Sequence, residues 1–542
     1  MKLNYKWQAA IVVALGLFMA VLDNTIVSVA LPQMQAYFHT DRETINWVAT
    51  AYFLAQAAII PITGYLSDRV GTKTVFLAAL TLFTVGSGLC AISPNEHLLI
   101  AFRVLQGVGG GALFPTAFAI TFRVFPPTER GVAGAVIGVP VLLAPAFGPT
   151  IGGFLTTTFD WHANFTVNLP IGVFTFVLGL LVLRGNAQDR AVTGEPTPDR
   201  GRFDVLGLLL AMGGFTSLVY GITQAGNTSW SDRQVVIALV AGGALLLAFI
   251  VNELRVSDPV MDIRLFLNYT FTTSNVLMWA ISAFLFSSLF LLPIFFQNVQ
   301  GHTPLQSGEF VIVQGLFAAI GTVLSGRLYN QVGPRILASI GFVLVSAGTF
   351  GFTRLDVNTT WQSLQPWMAL RGLGLGFTNI PLQTLSLSVV SNRAMARASS
   401  LVNVMRQVAG AIGLTVLTTF FVQQSKSYGT SLAAAHTSGS PLDPTSPLGK
   451  LFAVCSQPFG AAAAQHGAQI QACVQQVTQQ YVLPRAAASG LSDTFTLSMI
   501  GCAIALVLAL FLGRDPNVVA MKQAAKSGQQ VTPQPRPAMV GE

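Results

Sequence analysis

The chain has 542 residues; only 9% are Asp, Glu, Lys or Arg, while 52% are hydrophobic and 38 are Phe. Soluble domains carry about 25% charged residues, so a string of soluble domains is excluded. Four Cys exclude a disulfide-stapled secreted scaffold, and 10% aromatics exclude a disordered chain, leaving a polytopic membrane protein.

A helix needs about 20 apolar residues to cross the hydrocarbon core. Fourteen stretches qualify: 8–31, 45–66, 74–92, 97–121, 131–157, 165–184, 205–224, 234–252, 270–296, 307–327, 335–353, 366–390, 398–422 and 491–513. They are continuously apolar and do not alternate with period two, so helices are expected rather than a barrel. The first stretch follows Lys2 and Lys6, as in a signal peptide. It is too long for one, contains Asp23 and shows no small-residue cleavage pattern before Pro32.

Asp23 lies nine residues before Pro32, about 13 Å along a helix and near the membrane midplane. A carboxylate there costs roughly 2.5–3.5 kcal/mol, which suits it to binding and releasing a proton or cation. The alternative is a permanent hydrogen bond to a neighbouring helix. Between spans 2 and 3, Gly64, Asp68, Arg69, Gly71 and Lys73 form a short charged loop. The glycines permit a tight turn and close approach, which reads as a conformational latch; the bland alternative is an ordinary basic loop. Arg103 enters span 4 by about six residues, some 9 Å, a depth close to that of Asp23. The two can pair across the bundle, or Arg103 can snorkel outward. Gln106, Gly107 and Gly109–Gly111 follow it and invite close packing. In span 5, Gly148, Pro149, Gly152 and Gly153 follow Pro140 and Pro145, a density that implies kinks and close backbone contact.

The segment 185–204 reads as a polar linker. Glu309, after Thr303-Pro304, is a candidate second acidic site or a water-exposed residue at the mouth of span 10. Phe284 and Phe290 of span 9 suit an aromatic cavity for lipophilic cations, or lipid contact and packing. Asn275, Gln297, Gln314 and Asn379 are polar groups with the option of facing that cavity. The segment 425–490 reads as an extracytoplasmic loop and holds Cys455 and Cys473, a disulfide if that side is oxidising and two free thiols otherwise; Cys90 and Cys502 are expected buried and inert. The tail 514–542, with Pro533, Pro535 and Pro537, reads as disordered. The six His are scattered without ligand spacing, so no metal site is expected, and no nucleotide motif is present.

Charge fixes the orientation. With the N-terminus cytoplasmic, twenty of the 29 Lys and Arg fall inside. Six fall outside (Arg42, Arg233, Arg354, Lys426, Lys450, Arg485), and Arg103, Arg371 and Arg406 lie within spans. An even number of spans places both termini inside. The net charge of +8 is then topology facing anionic lipid, with no call for nucleic acid.

The chain also matches itself. GYLSDRVGTK at 64–73 resembles GRLYNQVGPR at 326–335, RVLQGVGGGA at 103–112 resembles RGLGLGFTNI at 371–380, and Leu31-Pro32 resembles Leu292-Pro293. Two parallel six-helix bundles follow: residues 1–190 and 266–513, with the linker and spans 7 and 8 inserted over 191–265 and the tail at 514–542. Parallel repeats belong to transporters of the major facilitator type, with the substrate site between the halves.

Together these motifs resemble the fourteen-span drug:proton antiporter branch of the major facilitator superfamily, the EmrB/QacA type. Ser28 stands where that branch's first-span signature has Asn, Thr72 where the loop motif has Arg, and Ala135 and Ala144 where the antiporter motif has Gly. Trp161, Phe165, Asn168, Pro170 and Gly172 match a further signature, with His162 for a usual Arg. The resemblance implies an all-α major facilitator fold of fourteen transmembrane helices in the cell (inner) membrane. It implies a monomer, not an enzyme, that exports lipophilic, often cationic compounds in exchange for protons, without a cofactor. Asp23, Arg103 and Glu309 are the candidate coupling residues, and membrane lipid is a partner of the protein as a whole. A periplasmic adaptor and outer-membrane channel stay open, as do a same-fold exporter of a fatty acid, lipid or siderophore and a non-transporting membrane scaffold or receptor.

Overall fold

A computed structural model describes residues 4–185, 204–256, 258–391, 394–437 and 482–527. The apolar runs become helices because polar residues stop them. Asp41, Asn95, Asp232 and Asn268 accept the first free backbone N–H groups of the helices that follow. The Thr44 backbone N–H and hydroxyl hold the Asp41 carboxyl below the usual carboxylate range. Gly71 at φ 105° and Gly333 at φ 98° turn one helix directly into the next, a conformation that costs only glycine nothing. Both sit at the same place in the repeat.

Among the described residues there are fourteen long helices and no strand. In chain order they are α1 (Tyr5–Phe38), α2 (Arg42–Val70), α3 (Thr72–Ala91), α4 (Glu96–Val124), α5 (Arg130–Thr158), α6 (Ala163–Val182, broken at Val167), α7 (Val205–Asn227) and α8 (Arg233–Arg255). Then come α9 (Tyr269–Ile294, continued by a π turn Phe295–Val299), α10 (Pro304–Val332), α11 (Pro334–Phe350), α12 (Trp361–Ser388), α13 (Met395–Thr437) and α14 (Leu483–Ala509). Twelve are long and apolar enough to cross a membrane on their own composition. The exceptions are α11, apolar but 17 residues long, and α12, 28 residues long but more polar.

The helices α1–α6 pack on one another, as do α9–α14. The two groups meet along two seams, α5 against α10 and α2 against α13. The inserted pair α7–α8 packs on itself, and α7 lies against both α2 and α13.

Two expectations need correction. The segment 425–490 is not all loop: α13 runs on to Thr437 and α14 begins at Leu483. The tail from 514 is not disordered at its start. Pro516–Ser527 forms a fifteenth helix, α15, which docks Val518 onto Tyr329 and Leu337. Asp515 caps α15 and accepts the Tyr329 hydroxyl at 2.8 Å. Cys455 and Cys473, residues 186–203 and residues 528–542 lie outside the described residues.

Candidate functional site

The α1 helix delivers Asp23 to the middle of its group, where it is wholly buried. Arg103 of α4 meets it at 2.6 Å through Nη1 to Oδ2. On the other oxygen, Oδ1, Gln106 and Asn168 each donate a side-chain amide at 2.9 Å. Every partner donates and none accepts, which is the hydrogen-bond pattern of an ionised carboxylate. Arg103 makes further contacts of its own. Its Nε donates to the Val48 carbonyl at 3.0 Å, its Nη1 also reaches Gln106 Oε1 at 2.8 Å, and its guanidinium lies 4.0 Å from the centre of the Tyr52 ring. Asn168 is steadied by Ser87 at 3.1 Å. So α1, α2, α3, α4 and α6 each contribute to one charge centre, and Arg103 points inward, not toward the headgroups.

The span-5 motif explains how α1 is held there. At Gly152 a Cβ would come within 2.8 Å of the Ile26 Cα, and at Gly148 it would overlap Thr25. On the opposite side of the same motif, Gly308 of α10 approaches Pro149 and Thr150 so closely that a Cβ would lie 2.9 Å from each. Gly153 also faces α10, with Leu305 3.7 Å from the place of a Cβ. The motif therefore locks the helix carrying Asp23 to α5, and α5 to the other group.

The charged segment expected as a loop is helix on either side of Gly71, with Gly64, Asp68 and Arg69 on α2 and Lys73 on α3, and its α2 part closes one end of the α2–α13 seam, here termed the latch face. Gly64 lets α2 touch the backbone of α13, where a Cβ would sit 2.5 Å from the Ala396 carbonyl, and its N–H donates to Ser400 Oγ at 2.8 Å. Asp68 accepts Arg397 of α13 at 2.9 Å and forms an ion pair with Arg123 of α4 at 3.6 Å. Arg69 pairs with Asp258 at 3.2 Å. Lys73 does not join the seam; it donates to the Leu180 carbonyl at 2.9 Å and so caps the end of α6. The other seam repeats the pattern: Gly326 of α10 sits against Gly131 of α5, with 2.6 Å between a Cβ and the Gly131 carbonyl.

The remaining candidates divide. Gln314 is buried and lines a cavity between the two groups, together with Leu142, Ala146, Leu285 and Leu289. That cavity measures about 20 Å³, room for a water molecule and no drug. Phe284 does not face it, because its ring packs on Gly501 of α14 while Leu285 and Leu289 take the cavity side. Asn275 turns to Ser386 of α12 at 3.0 Å, Asn379 is buried in α12, Gln297 is half-buried in the π turn, and Phe290 is exposed. Glu309 is exposed on α10 and is not among the partners of Asp23; the described residues place no ion pair on it.

The repeat is broken at the charge centre. Arg371 corresponds to Arg103, and Phe284, nine residues before Pro293, corresponds to Asp23. Among the described residues, buried Arg371 donates to the Phe284 carbonyl at 3.3 Å and lies 5.8 and 5.6 Å from the ring centres of Phe352 and Phe495, while its Nε and Nη1 have no hydrogen-bond partner. In the sequence, Asn168 shows only as part of a signature. Arg397 and Asp258 do not show at all, because charges at span ends look like topology.

A family model described as the Major Facilitator Superfamily matches residues 13–414. The chain is 36% identical over 448 residues to a multidrug resistance protein B homolog of Mycobacterium tuberculosis, covering 80% of this chain and 81% of that protein. It is 29% identical over 506 residues to the multidrug export protein EmrB of Haemophilus influenzae, covering 93% and 94%. Among solved structures, the human organic anion transporter MFSD10 superposes with a TM-score of 0.56 at 14% identity over 92% of this chain and 100% of that one, a likeness of fold.

Proposed function

The chain belongs to the Major Facilitator Superfamily, and from that premise we propose that it is a proton-coupled multidrug efflux antiporter exporting lipophilic, often cationic compounds by alternating access. It works as a monomer in the cell (inner) membrane without a cofactor. Both termini and the latch face are cytoplasmic, a reading supported by the excess of Lys and Arg at that face.

The observation that carries the reading is the buried Asp23–Arg103 pair with its ring of donors. A proton that arrives on Asp23 must displace at least one donor, and the charged one is Arg103. Its guanidinium then stays buried over Tyr52 without a counter-ion, a costly arrangement that favours any state in which the charge is answered differently. Proton binding thus shifts the balance between the two faces through a difference in affinity, as population shift requires. Each charge moved down the potential adds about 2.3 kcal/mol per 100 mV. With the latch face closed and the central cavity reduced to a water-sized void, substrate binding awaits the other state.

Asp23→Asn keeps the shape of the site and most of its bonds but cannot exchange a proton. In proteoliposomes with an imposed proton gradient, the variant is expected to fold and to lose gradient-driven drug transport. Full coupled transport by Asp23→Asn would remove Asp23 from the proton path.

A further inference from the structure

The inserted pair α7–α8 belongs to neither six-helix group, and the antiport scheme gives it no task. Its α7 touches both walls of the α2–α13 seam. Trp47 of α2 stacks on Tyr220 with ring centres 6.0 Å apart, and Thr415 of α13 donates to the Ile222 carbonyl at 3.1 Å. At the latch face the Asp204 N–H donates to the Tyr65 hydroxyl of α2 at 3.1 Å. The Asp204 carboxylate accepts Gly207 N–H and the Asn252 amide, both at 2.8 Å. Both inserted helices are thereby tied to the end of α2.

The chain leaving α8 then folds back on itself. Glu253, 1% exposed, accepts the backbone N–H groups of Val260 and Met261, each at 3.2 Å. This fold-back presents Asp258 between the two groups. One oxygen takes Arg69 of α2 at 3.2 Å and the other takes Arg397 of α13 at 2.7 Å. Arg397 also donates to the Pro259 carbonyl at 2.8 Å.

We propose that the inserted pair is a third part of the gate: through Asp258 it holds the latch face shut by bridging Arg69 and Arg397 across the seam. The charges at the seam favour such a part. Arg69, Arg123 and Arg397 converge on the seam, and Asp68 alone answers two of them. Arg69 and Arg397 share one aromatic ring, their guanidinium carbons 4.7 and 5.2 Å from the centre of Tyr65. Without Asp258 two like charges meet across the seam and push the groups apart. Asp258 turns that repulsion into a bridge, and α7–α8 positions it from outside both moving bodies.

The inference rests on the alternating-access reading, yet its test needs no drug. Ser400, buried against Gly64, becomes accessible only when the latch face opens. Ser400→Cys in a background free of the four native Cys is labelled with a membrane-impermeant maleimide, in inside-out and right-side-out vesicles. Two partly exposed bridges are lost in Asp258→Asn, so labelling is expected about tenfold faster than in the parent. Asp258→Glu, which keeps the charge, is expected to match the parent. In Asp258→Asn/Arg69→Gln one of the facing cations is gone, and labelling falls back toward the parent rate. An Asp258→Asn rate equal to the parent, while Asp68→Asn is fast, would overturn the proposal. So would a double variant as fast as Asp258→Asn, because Asp258 would then matter only to folding. The vesicle orientation that labels reports the topology separately, and a failure of drug transport leaves the labelling result standing.

Discussion

Arg103 and Arg371 are equivalent in the repeat, and their surroundings predict opposite consequences of removing them. Arg103 answers Asp23, so Arg103→Met strands a buried carboxylate and should cost about 3–5 kcal/mol. Among the described residues Arg371 has no ionic partner, and two of its nitrogens lack a hydrogen bond, so Arg371→Met is expected to be neutral or stabilising. Thermal unfolding of the purified proteins in one detergent separates them: Arg103→Met melts below the parent and Arg371→Met at or above it. Equal losses would mean that Arg371 has a partner the structure does not contain. The same contrast shows what is legible in a sequence at this scale. A charge inside an apolar run stands out, so Asp23 and Arg103 are visible and their similar depth suggests a pair. Asn168 and Ser87, which complete the site, are small polar residues of a kind every span contains. Asp258 and Arg397 are charged, but at span ends, where charge is ordinary.

At the scale of the element, the span-5 motif does the positioning, and its glycines are spacers at two successive contacts. Gly148 and Gly152 bring α5 against Thr25 and Ile26, the turn of α1 that follows Asp23. A valine at 148 cannot be absorbed by a flexible side chain, because Thr25 is held by its own bond to the Leu22 carbonyl at 2.9 Å. Gly148→Val is therefore expected to cost about 1–3 kcal/mol by overpacking and to move Asp23 relative to Arg103. The check is twofold: a lower melting temperature, and gradient-driven transport reduced more than passive substrate binding. Unchanged coupling would detach the motif from the charge centre. Helices were readable wherever the membrane demands an apolar run, and most expected ends fall within a few residues of the observed ones. Where helices leave the membrane, that demand and its signal are gone. The end of α13 far from the latch face and the start of α14 are polar enough to pass for loop, and α15 is held by Asp515 and Val518 against Tyr329, a tertiary contact that no local pattern announces.

For the whole molecule, the repeat makes a statement about mechanics. Each half offers one glycine at the latch face, Gly64 of α2 and Gly326 of α10, and each glycine meets the backbone of a helix from the other half. The two seams are therefore equivalent contacts on opposite sides of one pseudo-axis, and a rocking motion must part both together. Bulk at either seam penalises the closed latch face without touching the charge centre. Gly64→Val or Gly326→Val is expected to cost the closed state about 1–3 kcal/mol each. The seams share no side chain, so the double variant should add the two effects within about 0.5 kcal/mol. Spin labels on the latch-face ends of α2 and α13 read the distribution directly. Each single variant should raise the population at long distance, and the Gly326→Val shift should appear at the α2–α13 seam although its substitution lies on the other one. If Gly326→Val opened only the α5–α10 side, the halves would not move as rigid bodies, and alternating access in this chain would have to run through bending of single helices instead.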